Sequence, residues 1–248
     1  MVQQLTPDTA EVIYPESDGQ PMADNTEQFK WIVKIKENLE ILFASQENVF
    51  IGGNLLWYPV QGEVKTRQAP DAMVVFGRPK GKRGSYKQWQ EDNIPPQVVF
   101  EILSPGNKTK EMANKLLFYQ RYNVEEYYIY DPQTNELTGL LRSGANLEVI
   151  EEINNCVSPR LGIRFELTPN TLEIFSPSGQ RFLTSVELDQ IREQERQRAD
   201  TESQRAEAES QRADTERQEK EAALLQLELE RQRYQDLLTR LQERGIDL

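Results

Sequence analysis

Between Gly179 and Gly245 the sequence contains neither glycine nor proline, and the last proline is Pro177. A stretch of mostly Glu, Gln, Arg, Ala and Leu with neither breaker specifies a long helix. A seven-residue unit recurs inside it, as QRADTES from Gln197, QRAEAES from Gln204 and QRADTER from Gln211. A period of seven marks a helix built to pair. Its three-four seam starts small, with Ala199, Ser203, Ala206, Ser210 and Ala213. It passes through Arg217 and Lys220, then becomes leucine-rich at Leu224, Leu227, Arg231, Tyr234, Leu238 and Leu241. Small residues bury little area at about 25 cal/mol per Å², so the Leu/Tyr half must anchor the pair. The expectation is a coiled coil that frays, and a homo-oligomer formed through it. The alternative is a single solvated helix.

From Val186 onward there are 17 acidic and 11 basic residues, leaving 24 and 18 for residues 1–185, a net of −6 in each part and −12 overall. Only the first part has a core to bury. The chain therefore divides into a folded domain, 1–185, and a charged helix, 186–248.

In the first part, Asp24-Asn25-Thr26-Glu27 has the form of a helix start, with Asp24 as cap. Phe29, Ile32, Val33, Lys36 and Leu39 then mark one face of a helix over 26–44. Strand-like runs follow at 48–51 and 55–58, split by Gly52-Gly53, and at 72–76 and 98–103. A helix over 109–122 and a strand over 126–131 come next, then short strands at 137–142, 147–150, 163–167 and 172–175. This order predicts an α/β sandwich with a mixed sheet.

The chain has no histidine and one cysteine, Cys156. Zinc sites of His or Cys, Ser-His-Asp and Cys-His triads and internal disulfides are excluded within this chain. Catalysis must rest on carboxylates, Lys, Tyr or Ser. Met1 to Pro7 lacks the basic and apolar regions of a signal peptide, and the longest apolar run, Ala72 to Phe76, is far short of a membrane span. The expected location is the cytoplasm.

The strand Gln97-Val98-Val99-Phe100-Glu101-Ile102-Leu103 is apolar on both faces except for one carboxylate. A buried carboxylate needs a cation, hydrogen-bond partners or a proton. Asp71, after Pro70, opens another strand that can lie beside Glu101. Two carboxylates completed by carbonyls and waters suit Mg²⁺ or Mn²⁺. On the following helix, Met112, Leu116, Tyr119 and Tyr122 trace an inward stripe that includes Lys115. Lysine is rare on such a stripe. It could orient an attacking water, stabilise charge on a phosphate or, with a depressed pKa, act as a base. Taken singly, Asp71 also reads as a turn residue, Glu101 as half of a structural ion pair and Lys115 as a snorkelling stem.

Taken in order, Pro70-Asp71, Glu101-Ile102-Leu103-Ser104-Pro105, Lys115-Leu116-Leu117-Phe118-Tyr119 and Tyr127-Tyr128-Ile129-Tyr130-Asp131-Pro132 resemble the Uma-type putative restriction endonuclease family, within the PD-(D/E)XK nuclease superfamily. The resemblance covers about residues 10–185. It implies a restriction-endonuclease-like αβββαβ core and metal-dependent cleavage of nucleic acid phosphodiesters, with DNA as the expected substrate. On it, Asp71 and Glu101 match the two metal-binding acids. The motif's lysine is absent at position 103, which is Leu, and Lys115 matches a lysine moved to the next helix. Tyr119 matches a tyrosine of related nucleases, and Asn54 stands where similar sequences carry Asp.

Lys65, Arg67, Arg78, Lys80, Lys82, Arg83 and Lys87 face one acid, Asp71, between positions 65 and 90. Arg78, Lys80, Lys82, Arg83 and Lys87 are candidates to hold a nucleic acid backbone. Gly77 to Gly84 lacks the spacing and the Ser/Thr of a nucleotide-binding P-loop. Tyr86 and Trp89 could stack on bases or pin the loop. Glu16, Asp18, Ser104 and Asp131 read as turn or strand-end residues. The competing reading of the whole is a catalytically silent nuclease fold, used for nucleic acid binding or for assembly through the long helix.

Overall fold

The computed structural model describes residues 12–17, 19, 21–107 and 109–243. The start of the chain, Asp18 and the side chain of Leu241 lie outside the described residues. The chain divides into two units between Val186 and Glu187.

The first unit runs α1 (Thr26–Leu42), β1 (Val49–Gly53), β2 (Trp57–Tyr58), β3 (Ala72–Phe76), β4 (Tyr86–Lys87), a 3₁₀ turn (Gln88–Gln90), β5 (Val98–Ile102), α2 (Thr109–Arg121), β6 (Glu126–Asp131), β7 (Glu136–Ser143), β8 (Asn146–Val149), β9 (Arg164–Leu167) and β10 (Leu172–Phe175). Six strands form one mixed sheet in the order β1-β3-β5-β6-β7-β8. Within this sheet β5 and β6 are the parallel pair, joined by α2 as crossover, and the other pairs are antiparallel. Along the main sheet, α1-β1-β3-β5-α2-β6 is the expected αβββαβ order. The run expected at 55–58 instead leaves that sheet, and its two-residue remnant β2 pairs with β4.

Both faces of the sheet are covered, so its central strands read as continuous apolar runs. On one face α1 packs Trp31, Ile32, Ile35 and Leu39 against Ile51, Val74, Val98 and Phe100. On the other, Val75, Val99 and Tyr127 meet Trp57, Tyr86 and, from α2, Tyr119. The inward face of α1 is rotated from the expected one. Trp31 and Ile35 point in, while Phe29 is 47% exposed. Trp31 fixes this rotation by packing edge-on against Tyr130, 4.6 Å between ring centres. Asn25, not Asp24, caps α1 by accepting from the Gln28 N–H at 2.8 Å. Gly52 and Gly53 do not break a strand. They pair with Met73 and Ala72 inside the sheet. A Cβ on Gly52 would lie 2.7 Å from the Met73 Cε, so a larger residue there would have to displace the Met73 side chain.

α3 runs from Ser185 to Glu243 and, from Glu187 on, makes up the described part of the second unit. Leu224, Leu227 and Tyr234 of the seven-residue seam are solvent-exposed on it. Among the described residues no helix is long and apolar enough to cross a membrane.

Candidate active site

β3 and β5 are antiparallel with Ala72 opposite Phe100, so continuing the register one step sets Asp71 opposite Glu101. The Ile102 N–H donates to Asp71 Oδ2 at 2.6 Å and ties the acid to the partner strand. Glu101 lies on the face that α2 covers and is 2% exposed. Four residues make slightly more than one helical turn, so Lys115 and Tyr119 of α2 present to one point. Lys115 Nζ donates to Glu101 Oε2 at 2.9 Å, and the Tyr119 hydroxyl donates to Oε1 at 2.5 Å. Asp71, Glu101 and Lys115 are thus brought together, with Tyr119 holding the central acid.

Burial, and next the charge of Glu101, push the Asp71 carboxyl from 3.8 up to about 8, against the Ile102 N–H and Lys115, which favour its ionised form. Burial also raises Glu101 despite Lys115 and Tyr119. For Lys115 burial works against the charge, but Glu101 outweighs it, and the amine sits above the usual lysine range. The sequence left open a Lys115 base; this environment keeps it an ammonium, suited to stabilising negative charge.

A cavity of about 780 Å³ opens on this point, lined among others by Asp24, Gln28, Asn54, Gln68, Asp71, Glu111 and Lys115. The donors fit a divalent metal of the Mg²⁺ or Mn²⁺ class. Two carboxylates share one ammonium, so Asp71 keeps a proton that a divalent ion would displace, and the amides of Asn54 and Gln68 add hard oxygens. Among the described residues no group of three or more His, Cys, Asp or Glu is arranged to hold a metal, so any ion here would need carbonyls and waters to complete its shell. The Asn54 N–H donates to the Asp71 carbonyl at 3.2 Å, with Asn54 itself at φ +46.

Gln28, Asp24 and Glu111, none of them assigned to the site from sequence, also line the cavity. The Gln28 amide donates to the Ile102 carbonyl at 2.8 Å and accepts from the Asp24 N–H at 2.8 Å, fastening α1 to the end of β5. Asp24 accepts from the Ser104 hydroxyl and adds to the charge that raises Asp71. Glu111, one turn before Lys115, lies 3.8 Å from its amine. The buried face of α1 also carries Lys34 and Asn38, so nothing in the sequence set Gln28 apart. Ser104 sits in the turn after β5, where its N–H donates to Asn107 Oδ1 at 2.6 Å.

The basic loop is arranged differently from the charge map. Arg78 pairs with Glu91 at 2.8 Å and with Asp92, and Arg83 pairs with Glu91 at 2.6 Å. Burial opposes ionisation of Glu91, but the two guanidinium groups outweigh it and hold its carboxyl below the usual range. Lys80 donates to the Phe43 and Ala44 carbonyls, and Lys87 lies over the Tyr14 ring. Lys82 is exposed. None of the five lines the Asp71 cavity. Tyr86 is fully buried, its hydroxyl donating to the Ile94 carbonyl at 2.7 Å, so it pins the loop.

No curated protein matches the chain. Among solved structures it is similar to a putative nuclease belonging to DUF820 from Anabaena variabilis, at 14% identity over 54% of this chain and 72% of that one, with a TM-score of 0.41. The family described as Uma2, putative restriction endonuclease, matches residues 3–170, which is more than half of the chain, and the protein belongs to that family.

Proposed function

We propose that the protein is a Mg²⁺- or Mn²⁺-dependent endonuclease acting on DNA. The observation that carries this reading is the convergence of Lys115 on Glu101, itself set opposite Asp71. Asp71 and Glu101 would hold the ion. When bound, a divalent ion supplies Lewis-acid polarisation of the scissile phosphate and acidifies the attacking water. Lys115, held as its ammonium, counters charge that builds on the phosphate oxygens in the transition state. Tyr119 fixes the Glu101 carboxylate so that the ion-facing donors are set in advance. Gln28 fastens the strand end that carries Glu101. Lys82 and the free edges of the basic loop supply backbone contacts, and α3 pairs with a second copy.

Calorimetric titration with Mg²⁺ and Mn²⁺ tests the reading. Binding that disappears in Asp71→Asn supports it. Absence of binding at millimolar metal would favour the silent fold.

A further inference from the structure

Resting on the nuclease reading above, we propose that the pocket lined by Tyr14 and Trp89 binds an unpaired base of a nucleic acid strand that enters the active site. The pocket has a volume of about 490 Å³, within the usual range for small-molecule sites. Its lining carries the cation Lys87 and no carboxylate, in contrast to the Asp71 cavity with Asp24, Asp71 and Glu111.

The aromatic wall is built in advance. Tyr14 meets Trp89 at 4.9 Å and Tyr58 at 5.2 Å between ring centres. The Tyr14 hydroxyl accepts from the Gly62 N–H at 2.5 Å, and the Tyr58 hydroxyl donates to the Pro15 carbonyl at 2.7 Å. Trp89 sits on the 3₁₀ turn, whose neighbour Gln88 accepts from the Trp57 indole at 3.0 Å. Lys87 Nζ lies 5.3 Å from the Tyr14 ring centre, and Arg67 donates to the Tyr58 hydroxyl at 3.3 Å. The half-buried rings of Tyr14 and Trp89 beside Lys87 suit a base on the rings and its phosphate on the amine, while Arg67 holds the hydroxyl of the buried Tyr58.

The chain path connects this pocket to the centre. Trp57 and Gln68 are bridged, and Gln68 and Ala69 line the Asp71 cavity. Arg67 lies two residues before Ala69, about 7 Å of extended chain at ~3.3 Å per residue.

Trp31 and Trp57 are buried, so of the three tryptophans only Trp89 is open to a quencher. The full chain, in metal-free buffer, is titrated with fluorescein-labelled oligothymidylate and oligouridylate and with a duplex of equal length. Anisotropy gives affinity and tryptophan emission reports the pocket. The expected result is saturable quenching by single strands and less by duplex. Trp89→Leu should weaken single-strand binding by about tenfold, the size of one base stack, and Trp89→Phe should largely retain it. Unchanged affinity in Trp89→Leu, binding without quenching, or equal quenching by duplex would overturn the pocket. Metal-dependent cleavage by wild type alongside any of these results would leave the nuclease reading standing, while quenching without cleavage would spare the pocket and remove that reading.

Discussion

Lys115 Nζ lies 2.9 Å from Glu101 Oε2, and this amine is the nearest compensating charge for two buried acids. Removing one partner of a buried ion pair strands the other, whereas removing both can be nearly neutral. Lys115→Met alone should cost about 3–5 kcal/mol, less whatever Glu101 recovers by taking up a proton. Lys115→Met with Glu101→Gln should recover most of that. Urea unfolding of the two single variants and the double variant measures the coupling. Strict additivity would show that the contact carries no stability.

Asp71 makes stability depend on pH. The folded chain holds its proton up to about 8, while the unfolded chain releases it near 3.8. Between those values the folded state binds more protons, so stability falls as pH rises, by up to about 1.4 kcal/mol per pH unit. Asp71→Asn should flatten this slope in thermal melts recorded without metal. Equal slopes in wild type and variant would place the titration elsewhere.

A divalent ion should reverse that trend, because binding displaces the proton that Asp71 holds. Mg²⁺ affinity should rise with pH toward about 8, with proton release visible as a dependence of the calorimetric enthalpy on buffer ionisation. Chelation should return the chain to its metal-free melting behaviour.

Tyr119 donates to Glu101 while its ring packs 4.9 Å from Tyr127. Tyr119→Phe keeps the packing and removes the donor, at a cost of about 1–3 kcal/mol for a bond to a charged group. Metal affinity should fall while the far-ultraviolet circular dichroism stays unchanged. Affinity equal to wild type would mean that Lys115 alone fixes the carboxylate.

The seam of α3 is flanked on both sides by acids, among them Asp200, Glu202, Glu207, Glu209, Asp214 and Glu216. Facing copies repel along both edges, so pairing should strengthen as salt shortens the screening length from ~30 Å at ~0.01 M to ~3 Å at ~1 M. Light scattering should show the mass rising with salt in the full chain and not after deletion of residues 190–248. A mass that is the same for both chains at every salt concentration would remove the pairing.

Much of the fold was legible because central strands buried on both sides leave long apolar runs, and α2 leaves a polar-apolar stripe. Against that background Glu101 and Lys115 stand out as the wrong residues for their places. The rotation of α1 was not legible, since Phe29 and Trp31 serve equally well as apolar positions until Tyr130 selects one. Gly52 and Gly53 read as a break because a sequence does not show that Met73 and Lys36 approach their backbone. The basic loop misled for a related reason. Glu91 and Asp92, just past the stretch that looked uniformly positive, fold back onto Arg78 and Arg83. Asp24 and Gln28 were hidden because a polar residue at a helix start has an ordinary capping explanation.

The most direct test is supercoiled plasmid nicking across Mg²⁺, Mn²⁺ and chelator, with wild type beside Asp71→Asn, Glu101→Gln and Lys115→Met. The account predicts metal-dependent nicking by wild type and a loss of at least ~100-fold in each variant, with the folded state intact by circular dichroism. Nicking that persists in chelator, or full activity in any one of the three variants, would contradict it.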